Sequence, residues 1–293
     1  MDQAEGLRNI IKKSQVAAPA ARVITVTSGK GGVGKSNTAI NLAVQFKNRG
    51  KRVIIFDADF GLANIEVMFG AIPKHSLADL IYHGMDIKDV ITWGPNGIGF
   101  ISGGSGITGL TNLGKDHINF LIKNLSELDS IADVIIIDTG AGIAEAVITF
   151  LVASGEILLI TTPEPTSLTD SYSLLKALKH HPSFRPDLTV VKVISNKVED
   201  QEEGKQLYNK LNMVVQRYLK LPLEYLGCIP QDDTIVKAVM QQNPISISHP
   251  KALSTRAFED IADTMMNIPH EERAVRRGMA GFFASIIASR KNA

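Results

Sequence analysis

The octet Gly29-Lys30-Gly31-Gly32-Val33-Gly34-Lys35-Ser36 fits the phosphate-loop pattern G-x-x-x-x-G-K-[ST] and decides how the rest of the chain is read. In such a loop the glycines let backbone N–H groups close around phosphate oxygens. Lys35 stands where a lysine reaches the terminal phosphates, and the Ser36 hydroxyl stands where Mg2+ is ligated. The whole octet and the adjoining Asn37 are therefore candidate nucleotide contacts. A loop of this kind needs only Lys35. Lys30 is an extra cation, too near the strand end to fold back easily onto its own nucleotide, and a second subunit's nucleotide could use it.

The flanks suit the loop. Arg22-Val-Ile-Thr-Val-Thr-Ser28 is an apolar, β-branched run that reads as a buried strand, and residues 37–48 carry helical periodicity with Ile40, Ala43 and Val44 on one face. Strand, glycine turn and helix N-terminus follow in order, so the helix dipole points at the phosphates. Further strand-like runs fall at 53–57, 97–102, 134–138, 157–161, 188–196 and 225–229. Helical segments are expected at about 76–83, 113–129, 143–152, 167–180, 201–219 and 233–241. Continuous Val/Ile/Leu strands alternating with helices predict an α/β fold of the three-layer phosphate-loop NTPase kind. Its central sheet is mainly parallel and flanked by helices on both faces. Ligand chemistry in such sheets gathers at the carboxyl ends of the strands.

Acids emerge at two of those ends. The second strand runs into Asp57-Ala-Asp59-Phe-Gly-Leu-Ala-Asn64, and the fourth into Asp138-Thr-Gly140-Ala-Gly142. An apolar strand ending in Asp is a second signature of phosphate-loop NTPases, so Asp138 is a candidate Mg2+ ligand beside Ser36. Asp59 is a second acid for that metal and the choice for orienting an attacking water, which makes Lys30, Lys35 and Asp59 the candidate catalytic residues. Gly142, with Gly140, would let the backbone approach the γ-phosphate. Asp57 reads as a strand-end cap. Gly103-Gly-Ser-Gly-Ile-Thr-Gly109 has no lysine after it and reads as a mobile surface loop.

Whole-chain properties narrow the field. The 293 residues suffice for one substantial core, and a net charge of +1 supplies no global field for nucleic acid. Cys228 is the only cysteine, which excludes an iron–sulfur cluster held by this chain alone. There is no signal peptide and no apolar run of 18 residues, so a cytoplasmic protein is expected. The division is 1–21 as a terminal segment, 22–268 as the domain, and 271–293 as a second appendage.

Lys30 with Lys35, Asp59 in a D-x-D-x-G-L-x-N stretch and the strand-end Asp138 together resemble the MinD/ParA class of phosphate-loop ATPases, over about residues 22–268. The resemblance implies ATP and Mg2+ as cofactors and an ATP-sandwich homodimer in which each Lys30 crosses to the opposite nucleotide. It also implies base recognition by Asn196, in the Asn196-Lys197 turn, and by the Pro230-Gln231-Asp232 segment. Asp170 would orient Lys30, or equally would sit as a helix-start carboxylate. Partition proteins of the class usually carry D-x-D-P-Q, and division-site MinD proteins commonly have Arg where Ala63 stands. Gly61-Leu-Ala-Asn64 followed by Ile65-Glu-Val-Met-Phe-Gly70 looks more like the FlhG/FleN flagellar branch. A MinD-type division regulator, and then a ParA-type DNA partition ATPase, are the alternatives.

The termini extend that likeness. Asp2-Gln3-Ala4-Glu-Gly-Leu7-Arg8 is similar to the D-Q-A-x-x-L-R element that opens FlhG proteins, and Asp2 with Glu5 makes a capping pair. The resemblance names the GTPase FlhF as the partner this element stimulates, with Gln3 nearest its catalytic site. The resemblance further implies flagellar basal-body and C-ring proteins, and a flagellar transcription regulator, as partners. At the other end, Val275, Met279, Phe282, Phe283, Ile286 and Ile287 form one apolar helical face over 271–290. Arg273, Arg276, Arg277, Arg290 and Lys291 oppose only Glu271 and Glu272. Such a basic amphipathic helix can lie in an anionic membrane interface, or pack on the domain as its final helix. The two are compatible if it parks in a groove of the monomer. The location expected is cytoplasmic, with reversible attachment to the inner face of the membrane, cell poles included.

Overall fold

A computed structural model describes residues 20–59, 64–103, 120, 124–267 and 278–290. Its sheet has eight strands: β1 (Arg22–Ser28), β2 (Val53–Ala58), β3 (Thr92–Trp93), β4 (Gly99–Ile101), β5 (Val134–Ala141), β6 (Glu156–Thr161), β7 (Val190–Val198) and β8 (Leu223–Pro230). They lie in the order β3-β4-β2-β5-β1-β6-β7-β8, parallel throughout except for β3, which runs antiparallel to β4. β3 escaped the sequence reading because two residues carry no periodic signal.

Both faces of the sheet are buried, as the unbroken Val/Ile runs require. Ile24, Val26, Ile55, Ile136, Leu158 and Ile160 face one layer, packed by the helices Lys35–Asn48 (α1), Asn64–Phe69 (α2) and Leu253–Asn267. Ile54, Phe56, Ile135, Ile137, Ile157 and Leu159 face the other, covered by Glu145–Ala153, Pro165–His180, Gln201–Leu219 and Gly278–Arg290. The helix Leu253–Asn267 was not expected from the sequence. Its apolar spacing was nevertheless present, with Phe258, Ile261, Ala262 and Met265 buried on one side.

The C-terminal helix takes the packed one of the two arrangements that its sequence allows. The described helix spans Gly278–Arg290, and four side chains of the face assigned to a membrane are in the core. Met279, Phe282, Phe283 and Ile286 are at most 4% exposed. Phe282 stacks on Phe150 with ring centroids 5.8 Å apart, and Phe283 meets the edge of Phe56 at 6.3 Å. The Met279 amide donates to Asp129 Oδ1 at 2.9 Å, which fixes the start of the helix. Burying four such side chains contributes ~6–12 kcal/mol. Val275 and the Ile287 side chain lie outside the described residues.

A charged cluster holds the opposite end of the sheet from the strand carboxyl ends. Arg22 grips Glu156 bidentately at 2.7 and 2.8 Å and donates to the Met265 carbonyl at 2.8 Å, while Lys192 Nζ adds a third contact to Glu156 at 2.8 Å. Burial alone would push the Glu156 carboxyl up, but Arg22 and then Lys192 outweigh it and hold it down at about 2. β1, β6, β7 and the helix Leu253–Asn267 are thereby tied at one point.

Candidate nucleotide site

β1 lies centrally in the sheet, between β5 and β6, and the loop that leaves its carboxyl end opens over both neighbours. The backbone there is possible only for glycine at two positions. Gly34 has φ +91°, and a Cβ on it would collide with the Asn196 amide nitrogen; a Cβ on Gly29 would collide with the backbone of Asp170. The N-terminus of α1 has no side-chain cap and no acid in its first turn, so its unpaired N–H groups face the loop's interior unopposed.

Two lysines of the loop are held quite differently. Lys35 is 8% exposed and donates to Asp138 Oδ1 at 2.8 Å and to Ser36 Oγ at 3.3 Å. Lys30 is at the rim, in an ion pair with Glu164 at 2.5 Å and donating to Thr166 Oγ1 at 3.0 Å. Its own carbonyl accepts from Ser28 Oγ at 2.9 Å. Its partners are therefore Glu164 and Thr166, at the start of the helix Pro165–His180. Asp170 instead presents its backbone to Gly29 one turn later.

The acids gather beside Lys35. Asp57 and Asp138 are register partners on β2 and β5, and Asp59 lies next to Gly140, whose Cβ would sit 3.7 Å from Asp59 Oδ1. Asp57 accepts from the Asp59 amide at 3.1 Å and from the Ile65 amide at 3.3 Å. The cap expected of Asp57 is thus a clasp on the residue expected to orient water. Burial, then the charge of Asp138, pushes Asp57 up to about 7. Burial raises Asp138 as well, against the pull of Lys35 and Ser36. Phe60 to Ala63 lie outside the described residues. Gly142 sits against the loop, its N–H on the Ser28 carbonyl at 2.9 Å with φ +83°.

The expected base-binding residues divide. Asn196, at the end of β7, donates from Nδ2 to the Val33 carbonyl at 2.7 Å, so it supports the loop from beneath. Lys197, in the left-handed region with φ +58°, donates to the Gly32 carbonyl at 2.9 Å. Pro230 pairs with Val198, and Asp232 caps the helix Asp233–Met240 through the Thr234 amide at 2.8 Å while accepting from Ser254 Oγ at 2.7 Å. Burial opposes the Asp232 charge, but those bonds outweigh it and keep its carboxyl low. Asn37 holds the third position of α1 and accepts from Asn41 Nδ2 at 2.8 and 3.1 Å. Sequence reasoning set Lys197 in a base-binding turn, whereas it lies on the loop, and missed Glu164 and Thr166 as neighbours of Lys30. Their only advance signal was a place just after a strand end. Asp2, Gln3, Ala4, Leu7 and Arg8 lie outside the described residues.

The residues present fit a magnesium nucleotide. Asp138 Oδ2 is buried and has no hydrogen-bond partner, although the other oxygen of the same carboxylate is paired. An orphaned carboxylate oxygen beside Ser36, Lys35 and an uncapped helix N-terminus is the donor set a Mg2+-phosphate group completes.

Known proteins agree. Residues 24–245 match the CobQ/CobB/MinD/ParA nucleotide binding domain family. The antiactivator FleN of Pseudomonas aeruginosa is 38% identical over 85% of this chain and 87% of its own length. The flagellum site-determining protein YlxH of Helicobacter pylori is 32% identical over 84% and 82% respectively. In fold, the septum site-determining protein MinD of Pyrococcus horikoshii, solved with Mg-ADP, superposes with a TM-score of 0.64 over 84% of this chain and 96% of its own, at 22% identity. The chain belongs to the MinD/ParA family of nucleotide-binding ATPases, in its FlhG/FleN branch.

Proposed function

We propose that this ATPase is a switch that controls flagellar number or placement, with MgATP driving a sandwich homodimer and hydrolysis reversing it. The observation that carries the reading is the segregation of the two loop lysines. Lys35 is buried on Asp138, in the site of its own nucleotide, whereas Lys30 is 38% exposed on the rim. A cation at the rim serves a nucleotide approaching from outside, and in a homodimer that nucleotide is the partner's. Charge delivered in trans to a transferring phosphoryl group is an effective way to couple assembly to hydrolysis.

The remaining roles follow from position. The uncapped amides of α1 and of Gly31 to Gly34 bind phosphate oxygens, and Lys35 is placed to span the β- and γ-phosphates. Mg2+, when held by Ser36 and Asp138, neutralises charge developing on the phosphates. Asp59, steadied by Asp57, orients the attacking water, and Gly140 and Gly142 leave room for the γ-phosphate. Asn196 fixes the loop, and the Pro230–Asp232 segment bounds the base.

The flagellar assignment rests on FleN and YlxH as relatives and on the D-Q-A-x-x-L-R likeness of residues 2–8. Residues 1–21 would dock on FlhF and stimulate its GTPase, with Gln3 supplied in trans. The antiactivator name of FleN favours a transcription regulator as a second target, and basal-body proteins as a third. Membrane residence would follow release of the C-terminal helix from its groove. Insertion of the same four side chains gains about what undocking costs, so the basic residues, at about 1 kcal/mol each near an anionic surface, and the pairing of two helices in a dimer decide the balance. No helix among the described residues is long and apolar enough to cross a membrane.

A GTPase assay of FlhF with a peptide of residues 1–20 tests the flagellar reading. Stimulation by the wild-type peptide and its loss with Gln3→Ala is the expected result. No stimulation by either moves the assignment to a division-site regulator.

A further inference from the structure

We infer that Glu164 is a gate on dimerisation: its carboxylate holds Lys30 within the monomer, and the switch closes only when a partner's nucleotide takes that lysine away. The inference rests on the trans role of Lys30 proposed above. Lys30 Nζ has two partners in the structure, Glu164 Oε2 at 2.5 Å and Thr166 Oγ1 at 3.0 Å, both just beyond the end of β6. Glu164 is paired with Lys30 and also feels the charge of Lys197. Its carboxyl is held below the usual range by the Lys30 hydrogen bond first, then by the Lys30 charge, with Lys197 adding to it. Lys197 is itself anchored on the Gly32 carbonyl of the phosphate loop. The rim of the site therefore alternates Lys30, Glu164 and Lys197.

That arrangement opposes assembly in two ways. Each Lys30 must leave its carboxylate before it can meet a phosphate, and each Glu164 presents a negative charge at the rim where the partner's anionic nucleotide would arrive. The pair is exposed, with the side chains 38% and 53% accessible, so its individual effect is modest. Exposed ion pairs shift an equilibrium by about two- to fivefold. A symmetric dimer breaks two of them, which multiplies to roughly 4- to 25-fold. A threshold of that size matters to a switch whose two states must both be populated.

The arrangement also separates this gate from catalytic roles. Glu164 is on the loop between β6 and the helix Pro165–His180, away from the Lys35, Ser36 and Asp138 set. Thr166 is the weaker, uncharged tether. Removing it should act in the same direction with a smaller effect.

Sedimentation of the full chain with Mg2+ and a non-hydrolysable ATP analogue, across a range of protein concentrations, tests the inference. Glu164→Gln is expected to lower the concentration of half-dimerisation by several-fold. Thr166→Val should lower it less, and Glu164→Gln should gain less in the Lys30→Ala background than in the wild type. Dimerisation unchanged or weakened by Glu164→Gln, while Lys30→Ala abolishes it, overturns the gate and leaves the trans lysine standing. Wild-type dimerisation that Lys30→Ala does not weaken overturns the trans reading and the gate with it.

Discussion

Glu156 shows how charged residues are used in this fold away from the nucleotide. It is nearly enclosed, and it is charged because Arg22 and Lys192 are there to meet it. Its folded carboxyl lies at about 2 against 4.5 for the free group, so it contributes stability above pH 4.5, and that contribution is lost as the pH falls toward 2. The size is about 3 kcal/mol. Glu156→Gln should therefore cost about that much in urea unfolding at neutral pH, with the gap to wild type closing as the pH falls below 4.5. A gap independent of pH would show that the cluster is not held by charge. At the active end the same chemistry is left incomplete. Asp138 keeps one buried oxygen unpaired, which a structural ion pair would not do. Lys35, Ser36 and Asp138 were legible in the sequence because a motif fixes both their types and their spacing. Glu164 was not, since its partner lies far along the chain and one acid after a strand end looks like any other.

Among the elements, the helix Gly278–Arg290 has the most to answer for. Its sequence reads as an amphipathic surface helix with basic flanks, and periodicity alone cannot say whether an apolar face meets lipid or protein. The structure supplies the missing partner, Phe150 on Glu145–Ala153 and Phe56 on β2. Phe282→Ala should cost about 3–5 kcal/mol of unfolding free energy, as truncation of a buried aromatic does. Unchanged stability would mean that the helix spends its time elsewhere. The strands were the most legible elements, being continuous β-branched runs ending in Asp or glycine. The helix Leu253–Asn267 carried a clean apolar face that went unread beyond residue 241, and β3 was too short to leave a pattern.

For the whole molecule, the layout gathers the phosphate loop, Asp57, Asp59, Asp138 and Glu164 at the carboxyl ends of the central strands. β1 delivers the phosphate loop between Asp138 on β5 and Glu164 after β6, and β2 delivers Asp57 and Asp59 beside them. The C-terminal helix packs on Phe56 of β2 and on Phe150 of the helix that follows β5, so it touches the strand that also carries Asp57.

The central claim is that Lys30 acts on the opposite nucleotide, and mixing two defective variants tests it most directly. With the roles proposed above, Lys30→Ala would keep Asp59 but have no lysine to lend, whereas Asp59→Ala would lend Lys30 but fail to activate water. Each alone should hydrolyse ATP poorly. An equimolar mixture should regain hydrolysis well above the sum of the two, because in the mixed dimer one nucleotide meets an intact Asp59 and a borrowed Lys30. A mixture that stays at that sum would contradict the account and place Lys30 in its own subunit's site.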